Sequence, residues 1–189
     1  MESVVLRTAR LVLDQPRPSD VDDITRACGD PLFERYLTTP WPYRREHALG
    51  FVEEFVPSGW AVDREYTWAL RTSADGPLLG VVCLRRAHGG FGFWMDAAHR
   101  GHGYMAEAVR AVADWGLDDL RMPEVTWEAL VGNLASAATA RKGGLAFSGT
   151  RTGRIPMRDG STAVCWHAVL TRSTDAATAL ASWPAETRA

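Results

Sequence analysis

The sequence predicts a single mixed α/β domain. The segments read in the order strand, two helices, three strands, helix, strand, helix and two strands, which is not a repeating βαβ series. The hydrophobic period switches from near 2 in stretches such as "EYTWALRTS" to 3.6 around "YMAEAVRAVADWGL". The chain has 189 residues, 46% of them hydrophobic and 23% charged, enough to bury one sizeable core.

The elements follow in order. "RLVLDQ" alternates as a first strand, and "PSDVDDITRACGD" has the Ser/Asp start, early acids and closing glycine of a short helix. "PLFERYLTTPWPYR" is aromatic and broken by prolines, so it reads as loop. "REHALGFVEEFV" then places Leu49, Val52 and Val56 at helical spacing. "EYTWALRTS" and "PLLGVVCLRR" flank Asp75-Gly76-Pro77 and predict an antiparallel hairpin, followed by a short strand "FGFWM". From Tyr104 to Leu117 a helix puts Met105, Ala108, Val109 and Val112 on one face and Glu107, Arg110 and Asp114 on the other. "EVTWEALV" is a strand, and "NLASAATARKGG" is a helix with Asn133 as N-cap and glycines at its end. "LAFSGTR" and "TAVCWHAVL" close the domain at about residue 172, and 173–189 read as a frayed or weakly helical tail. Eight tryptophans are expected mainly in the core.

Composition narrows the function. A net charge of −2 and a pI near 6.2 argue against a direct nucleic-acid surface. No apolar run approaches the ~20 residues of a membrane helix, and "MESVVLRTARLVL" lacks the pattern of an export signal. Cys28, Cys83 and Cys165 are odd in number and widely spaced, and read as buried hydrophobes. The expected setting is therefore the cytoplasm, with no membrane partner.

The sharpest motif is "HRGHGYMAEA", residues 99–108. "GHGYMA" has the form of a dinucleotide-binding turn, but that fingerprint requires a strand feeding directly into the glycines, and "DAAHR" intervenes. The capability for phosphate survives this rejection. Gly101 and Gly103 leave backbone N–H groups unshielded where a helix begins, and Arg100 adds a positive charge. His99 and His102 lack further metal ligands nearby, so no metal is expected.

"RGHGYMAEA" resembles the (Arg/Gln)-x-x-Gly-x-(Gly/Ala) signature of the GNAT superfamily of acyl-CoA-dependent N-acyltransferases, in the branch that acetylates ribosomal-protein N-terminal residues. "VTWEALVGNLASAATARKGGLAFSGT" resembles that branch's second half: a strand, Asn-x-x-Ser, a helix, and Lys-x-Gly before a last strand. "TARLVLDQPRPSDVDDI" and "DPLFERYL" are similar to its N-terminal region, so the likeness covers roughly residues 7 to 172. Met105 departs from the signature's Gly or Ala, and Leu145 from the aromatic after Lys-x-Gly.

The resemblance implies a central, mostly antiparallel, splayed mixed sheet flanked by helices. It implies acetyl-CoA or another acyl-CoA as co-substrate, a primary amine of a small molecule or protein N-terminus as acceptor, and often a homodimer. It assigns Arg100, Gly101, His102, Gly103, Tyr104 and Met105 to the pyrophosphate. Trp94 and Met95 go to the pantetheine strand, where a bulge would aim an N–H at the thioester carbonyl. Asn133 positions the cofactor, with capping of its helix as an equal alternative. Ser136 is the proton donor to the departing thiolate, the alternative being a small packed residue. Arg141 and Lys142 are candidates for the cofactor's phosphate, the commoner alternative being that they complement the helix dipole. Glu128 and Asp96 are candidate general bases, a water chain being the alternative. Tyr36, Trp41 and Tyr43 are placed at the acceptor pocket, or serve as an aromatic cover on the core. No cysteine lies in either motif, which disfavours a covalent acyl-enzyme. The alternative function is a non-catalytic acyl-CoA-binding or sensing module.

Overall fold

The computed structural model describes residues 1–187. Strands β1 (Leu6–Arg7), β2 (Val12–Asp14), β3 (Glu65–Arg71), β4 (Gly80–Arg85) and β5 (Phe91–Met95) form one antiparallel sheet in that order. Strands β6 (Val125–Leu130), β7 (Ala146–Thr152) and β8 (Val164–Leu170) form a second, in the order β6-β8-β7. The sheets meet where Gly90 bridges Thr126 in parallel, with the Thr126 N–H donating to the Gly89 carbonyl at 2.7 Å. Past that bridge β5 and β6 do not pair, so the composite sheet forks. This is the mixed, mostly antiparallel splayed sheet that the motifs imply.

Helix α1 (Val21–Ala27) follows the first strands. The next segment corrects the loop expectation, because Pro31–Tyr36 is a helix, α2. Asp30 caps it by accepting from the Leu32 N–H, and Pro31 sits where its missing N–H costs nothing. The aromatic and proline content of "PLFERYLTTPWPY" hid this Asp-Pro start. Helices α3 (Arg45–Gly50) and α4 (Val56–Ala61) are joined by one π-helical turn, Phe51–Phe55. Pro57 cannot donate to the ladder and crowds the preceding turn, and the Val56 N–H reaches back five residues to Phe51.

Helix α5 (Tyr104–Asp118) lays Met105, Ala108, Val109 and Val112 against the first sheet, all buried as the spacing predicts. Trp60, Tyr66, Trp68 and Trp115 meet there with ring centroids 5.0–6.0 Å apart. Helix α6 (Leu134–Lys142) backs the second sheet. The expected tail is corrected. Helix α7 (Ala176–Ala181) is capped by Asp175, and Trp183 is buried beside Trp127 and Phe147 with its indole N–H on the Leu145 carbonyl at 2.8 Å. The last residues of that tail, 188 and 189, lie outside the described residues. No described helix is long and apolar enough to cross a membrane.

Candidate active site

The fork between β5 and β6 opens into two cavities. One, of about 530 Å³, lies over the start of α5 and along α6. The other, of about 620 Å³, lies on the opposite side, between the two sheets and the α2–α3 region. They share Tyr36, Leu37, Phe93, Trp94, Asn133 and Ser136, which therefore mark their junction.

The smaller cavity has the chemistry of a phosphate and pantetheine site. Gly101 and Gly103 have φ of +86° and +77°, a left-handed backbone that favours glycine, and Gly103 caps α5. Helix geometry leaves the Tyr104, Met105 and Ala106 N–H groups without intrahelical partners, at the positive end of a 15-residue helix. The Met105 side chain is turned into the core, only 6% exposed, so its bulk does not cover these donors.

Arg100 lines this cavity as expected. It also gives its Nε to the Met95 carbonyl at 3.1 Å and a terminal nitrogen to Asp30 at 2.7 Å, so it ties the loop to α2 and its charge is already paired. Lys142, rather than Arg141, faces the cavity, together with Ala135, Ala138 and Thr139 of the same helix face. His102 also sits apart from the lining. Its ring stacks on Tyr104 at 5.5 Å with Nδ1 near the His99 carbonyl, while Arg10 lies over Tyr104.

Strand β5 has a usable open edge. The Arg85 N–H donates to the Gly90 carbonyl at 3.0 Å and the Asp96 N–H to the Leu79 carbonyl at 2.9 Å, with unbroken register between. Antiparallel alternation then commits the backbone groups of Gly92 and Trp94 to β4 and turns those of Phe93 and Met95 toward β6. The expected bulge is absent from this pairing, and the register shift lies in β7 between Phe147 and Gly149. Trp94 thus presents its ring, edge-on to Phe33 at 5.6 Å, while the backbone N–H groups on the open edge are those of Phe93 and Met95. The free helix N-terminus, Lys142 and this open edge fit a CoA moiety.

At the junction, Asn133 caps α6 by accepting from the Ser136 N–H at 3.2 Å, which leaves its amide NH₂ to donate into the cleft. The Ser136 hydroxyl accepts from the Trp127 indole N–H at 3.0 Å. Its own proton is therefore not part of that bond. Capping and facing the cavities are compatible for Asn133, so the two sequence readings are not exclusive.

The larger cavity holds two of the three residues expected at the acceptor, Tyr36 and Tyr43. Tyr36 reaches across the fork to the Gly132 carbonyl at 3.3 Å, and Tyr43 lines the wall. Trp41 is corrected: it packs against the second hydrophobic cluster and does not line the cavity. Glu128 is in place, with Oε1 accepting from the Arg154 and Ile155 N–H groups at 3.0 and 3.1 Å, and Oε2 accepting from Arg154 at 3.1 Å. A carboxylate offers about four lone-pair positions, so Oε2 keeps one. His167 Nδ1 is 3.6 Å from it; burial, followed by the nearby Arg151, lowers the His167 pKa and favours the neutral ring.

Asp96 is removed as a base. It is buried, caps the Ala97–His99 turn and pairs with Arg26 at 2.6 Å, apart from both cavities. Burial alone would raise its pKa, but the Ala98 N–H and the Arg26 guanidinium hold it below the usual carboxylate range.

Several lining residues escaped sequence reading. Glu65 and Arg85 form an ion pair at 2.9 Å on the cavity face, and a Cβ at Gly92 would come within 2.9 Å of Cys83 Sγ and 3.0 Å of Arg85. The absent side chain at Gly92 is what lets Arg85 lie across β5. Spacing i, i+2 places Glu65 with Thr67 and Cys83 with Arg85 on one strand face, a signal that was available. Phe51 and Phe55, stacked at 6.0 Å, came from the π turn, which periodicity does not reveal. Burial pushes the Cys83 thiol up to about 12, so it stays protonated and is a poor nucleophile.

Comparison with known proteins agrees with this geometry. Residues 10–146 match the family model described as "Acetyltransferase (GNAT) domain". An 88-residue stretch, 43% of this chain, is 33% identical to Probable N-acetyltransferase YjcK of Bacillus subtilis (strain 168), and spans about half (49%) of that relative's length. Among solved structures, RimL, the ribosomal L7/L12 alpha-N-protein acetyltransferase in complex with coenzyme A, superposes with a TM-score of 0.76 at 15% identity, covering 91% of this chain and 100% of that one. The microcin C7 self immunity acetyltransferase MccE, in complex with acetyl-CoA and AMP, gives 0.73 at 16% identity, covering 87% and 93%. At such identities these structures share the fold. With the forked sheet, the glycine turn opening α5 and a family model matched over well more than half its length, the chain belongs to the GNAT acetyltransferase family.

Proposed function

We propose that this protein is an N-acyltransferase that passes an acyl group, acetyl in the simplest case, from acyl-CoA to a primary amine by direct attack. The observation that carries this is the placement of Ser136 and Asn133 where the two cavities meet at the fork. One cavity suits a CoA moiety, and the other admits a second reactant to the same point from the opposite side. The RimL likeness favours the branch that modifies protein N-termini; a small-molecule amine fits the same cavity.

Acyl-CoA supplies an activated thioester. The first-turn N–H groups of α5, with Gly101 and Gly103, hold the pyrophosphate, and Lys142 adds a cation. The outward backbone groups of Phe93 and the Met95 N–H align the pantetheine arm, the Met95 carbonyl being held by Arg100, and place an N–H where charge develops on the thioester carbonyl oxygen. Asn133 donates its amide to the cofactor. On the acceptor side, Glu128 Oε2 takes the proton that the amine nitrogen must lose as the N–C bond forms. As the C–S bond breaks, Ser136 gives its hydroxyl proton to the sulfur and is reprotonated from water. Tyr36 and Tyr43 wall the acceptor. The buried, protonated cysteines are not used.

The test is release of free CoA from acetyl-CoA on addition of primary amines and short peptides with free N-termini. Amine-dependent release, lowered at least tenfold in Glu128→Gln and in Ser136→Ala, supports the assignment. Binding of acetyl-CoA with no amine-dependent release from any acceptor contradicts catalysis.

A further inference from the structure

We infer that Arg158 is a positioning residue for the acceptor, clasping the β7–β8 loop onto α2 so that Ile155 and Met157 wall the acceptor cavity, and that this cavity takes a primary amine with an apolar body. The inference rests on the acyl-transfer reading and goes beyond it by naming the acceptor's chemistry.

Residues 153–163 connect β7 to β8 as an ordered hairpin. Its neck is closed by the Gly153 N–H on the Ala163 carbonyl at 2.8 Å, and its tip by the Gly160 N–H on Met157 and the Met157 N–H on Ser161. The first residues of the loop are held from below, where Glu128 accepts the Arg154 and Ile155 N–H groups. The tip is held from across the cavity. Arg158 donates from Nε to the Thr39 carbonyl at 2.7 Å, from Nη1 to Glu34 at 2.6 Å and from Nη2 to Phe33 at 2.9 Å.

Those three carbonyls lie 119 to 125 positions away in sequence, at the end of α2 and just after it. The Phe33 carbonyl also accepts from the Leu37 N–H at 3.0 Å and Thr39 lies beyond the helix, so the guanidinium adds a second donor to one carbonyl and reaches two others near the negative end of α2. Its planar fork can serve three carbonyls at once, whereas a lysine ammonium is a point donor. Arg158 is not itself part of the cavity wall. It acts through the two walls it joins: Leu37 and Pro40 on one side, Ile155 and Met157 on the other.

With Phe51 and Phe55 completing the surround, the cavity is mainly apolar around two carboxylates, of which Glu65 is already paired with Arg85 and Glu128 has no arginine or lysine partner among the described residues. An ammonium is drawn to the unpaired carboxylate and gives one proton to water before attack, leaving Glu128 to take the second as the N–C bond forms, while the apolar body is desolvated against the clasped loop. An acceptor lacking apolar bulk would leave these side chains in contact with water.

The test uses calorimetric titration of the protein saturated with CoA, with hexylamine and 2-phenylethylamine as probes. The wild-type complex should bind at least one of them. Arg158→Ala should raise that Kd at least tenfold while the Kd for CoA stays within twofold. Arg158→Lys should fall between, because one ammonium cannot span three carbonyls. Met157→Ala, which deepens the pocket, should shift preference toward the longer alkylamine. A general loss of structure would weaken CoA and amine together, so the selectivity is the informative readout. A wild-type CoA complex that binds neither amine overturns the inference, as does an Arg158→Ala protein that binds them within twofold of wild type or loses CoA in proportion. Failure of the wild-type protein to bind CoA at all would instead sink the acyl-transfer reading beneath it.

Discussion

The Trp127 indole N–H donates to the Ser136 hydroxyl at 3.0 Å, joining β6 to the first turn of α6 across the point where the two cavities meet. The bond fixes the direction of the hydroxyl. An oxygen that accepts from an indole must point its own proton elsewhere, and the remaining open side is the cleft. Trp127→Phe keeps most of the packing and removes only the donor. Its kcat should fall several-fold with the acetyl-CoA KM unchanged, measured by steady-state CoA release.

Ser136→Ala removes the proposed proton donor. General acid catalysis contributes roughly 10²–10⁴-fold, so kcat should fall at least tenfold. The calorimetric Kd for acetyl-CoA should stay within about twofold, because the proposed cofactor contacts are made by other groups: backbone N–H groups, Lys142 and the Asn133 amide. Unchanged turnover would remove Ser136 from the chemistry.

Gly103 precedes α5 at φ +77°, a conformation that costs an L-residue about 1–2 kcal/mol. Gly103→Ala should lower stability by that amount in urea unfolding. It should also weaken acetyl-CoA binding by disturbing the N–H groups of the first turn.

Asp96→Asn tests a structural ion pair. The folded protein holds this carboxyl below its ordinary pKa, so its ionised form contributes stability above the unfolded value near 3.8. That contribution disappears as pH falls through the lower folded value. The melting temperature of Asp96→Asn should lie below wild type at pH 6 to 7, and the two curves should converge as pH drops below about 4. A gap that stays constant down to pH 3 would contradict the pairing with Arg26.

Trp183→Ala should cost about 3–5 kcal/mol, the usual range for a buried aromatic truncated to Ala. A loss under 1 kcal/mol would restore the picture of a loose tail.

Much of the fold was legible because its elements are periodic. The α5 face of Met105, Ala108, Val109 and Val112 and the Asn133 cap follow from local chemistry that tertiary contacts reinforce. What was hidden is non-local or conflicting. The helix α2 was masked by prolines, one of which, Pro31, in fact starts it, and the C-terminal residues looked weakly helical because Trp183 finds its partners 36 to 56 positions away. In the site, the spacing of Asn133 and Ser136 and the paired glycines were readable. That Arg100 spends its charge on Asp30, and that Trp94's backbone faces β4 while Phe93's faces the cleft, depend on register and on side-chain partners 70 positions apart. No one-dimensional pattern encodes those.

The central claim is that the forked sheet binds acyl-CoA through the turn opening α5. The most direct measurement is a calorimetric titration of the purified protein with acetyl-CoA, with NADH titrated as control and Gly103→Ala run alongside. The account predicts saturable binding of acetyl-CoA, weakened in the variant, and no binding of NADH. Binding of NADH alone, or of neither ligand, would contradict it.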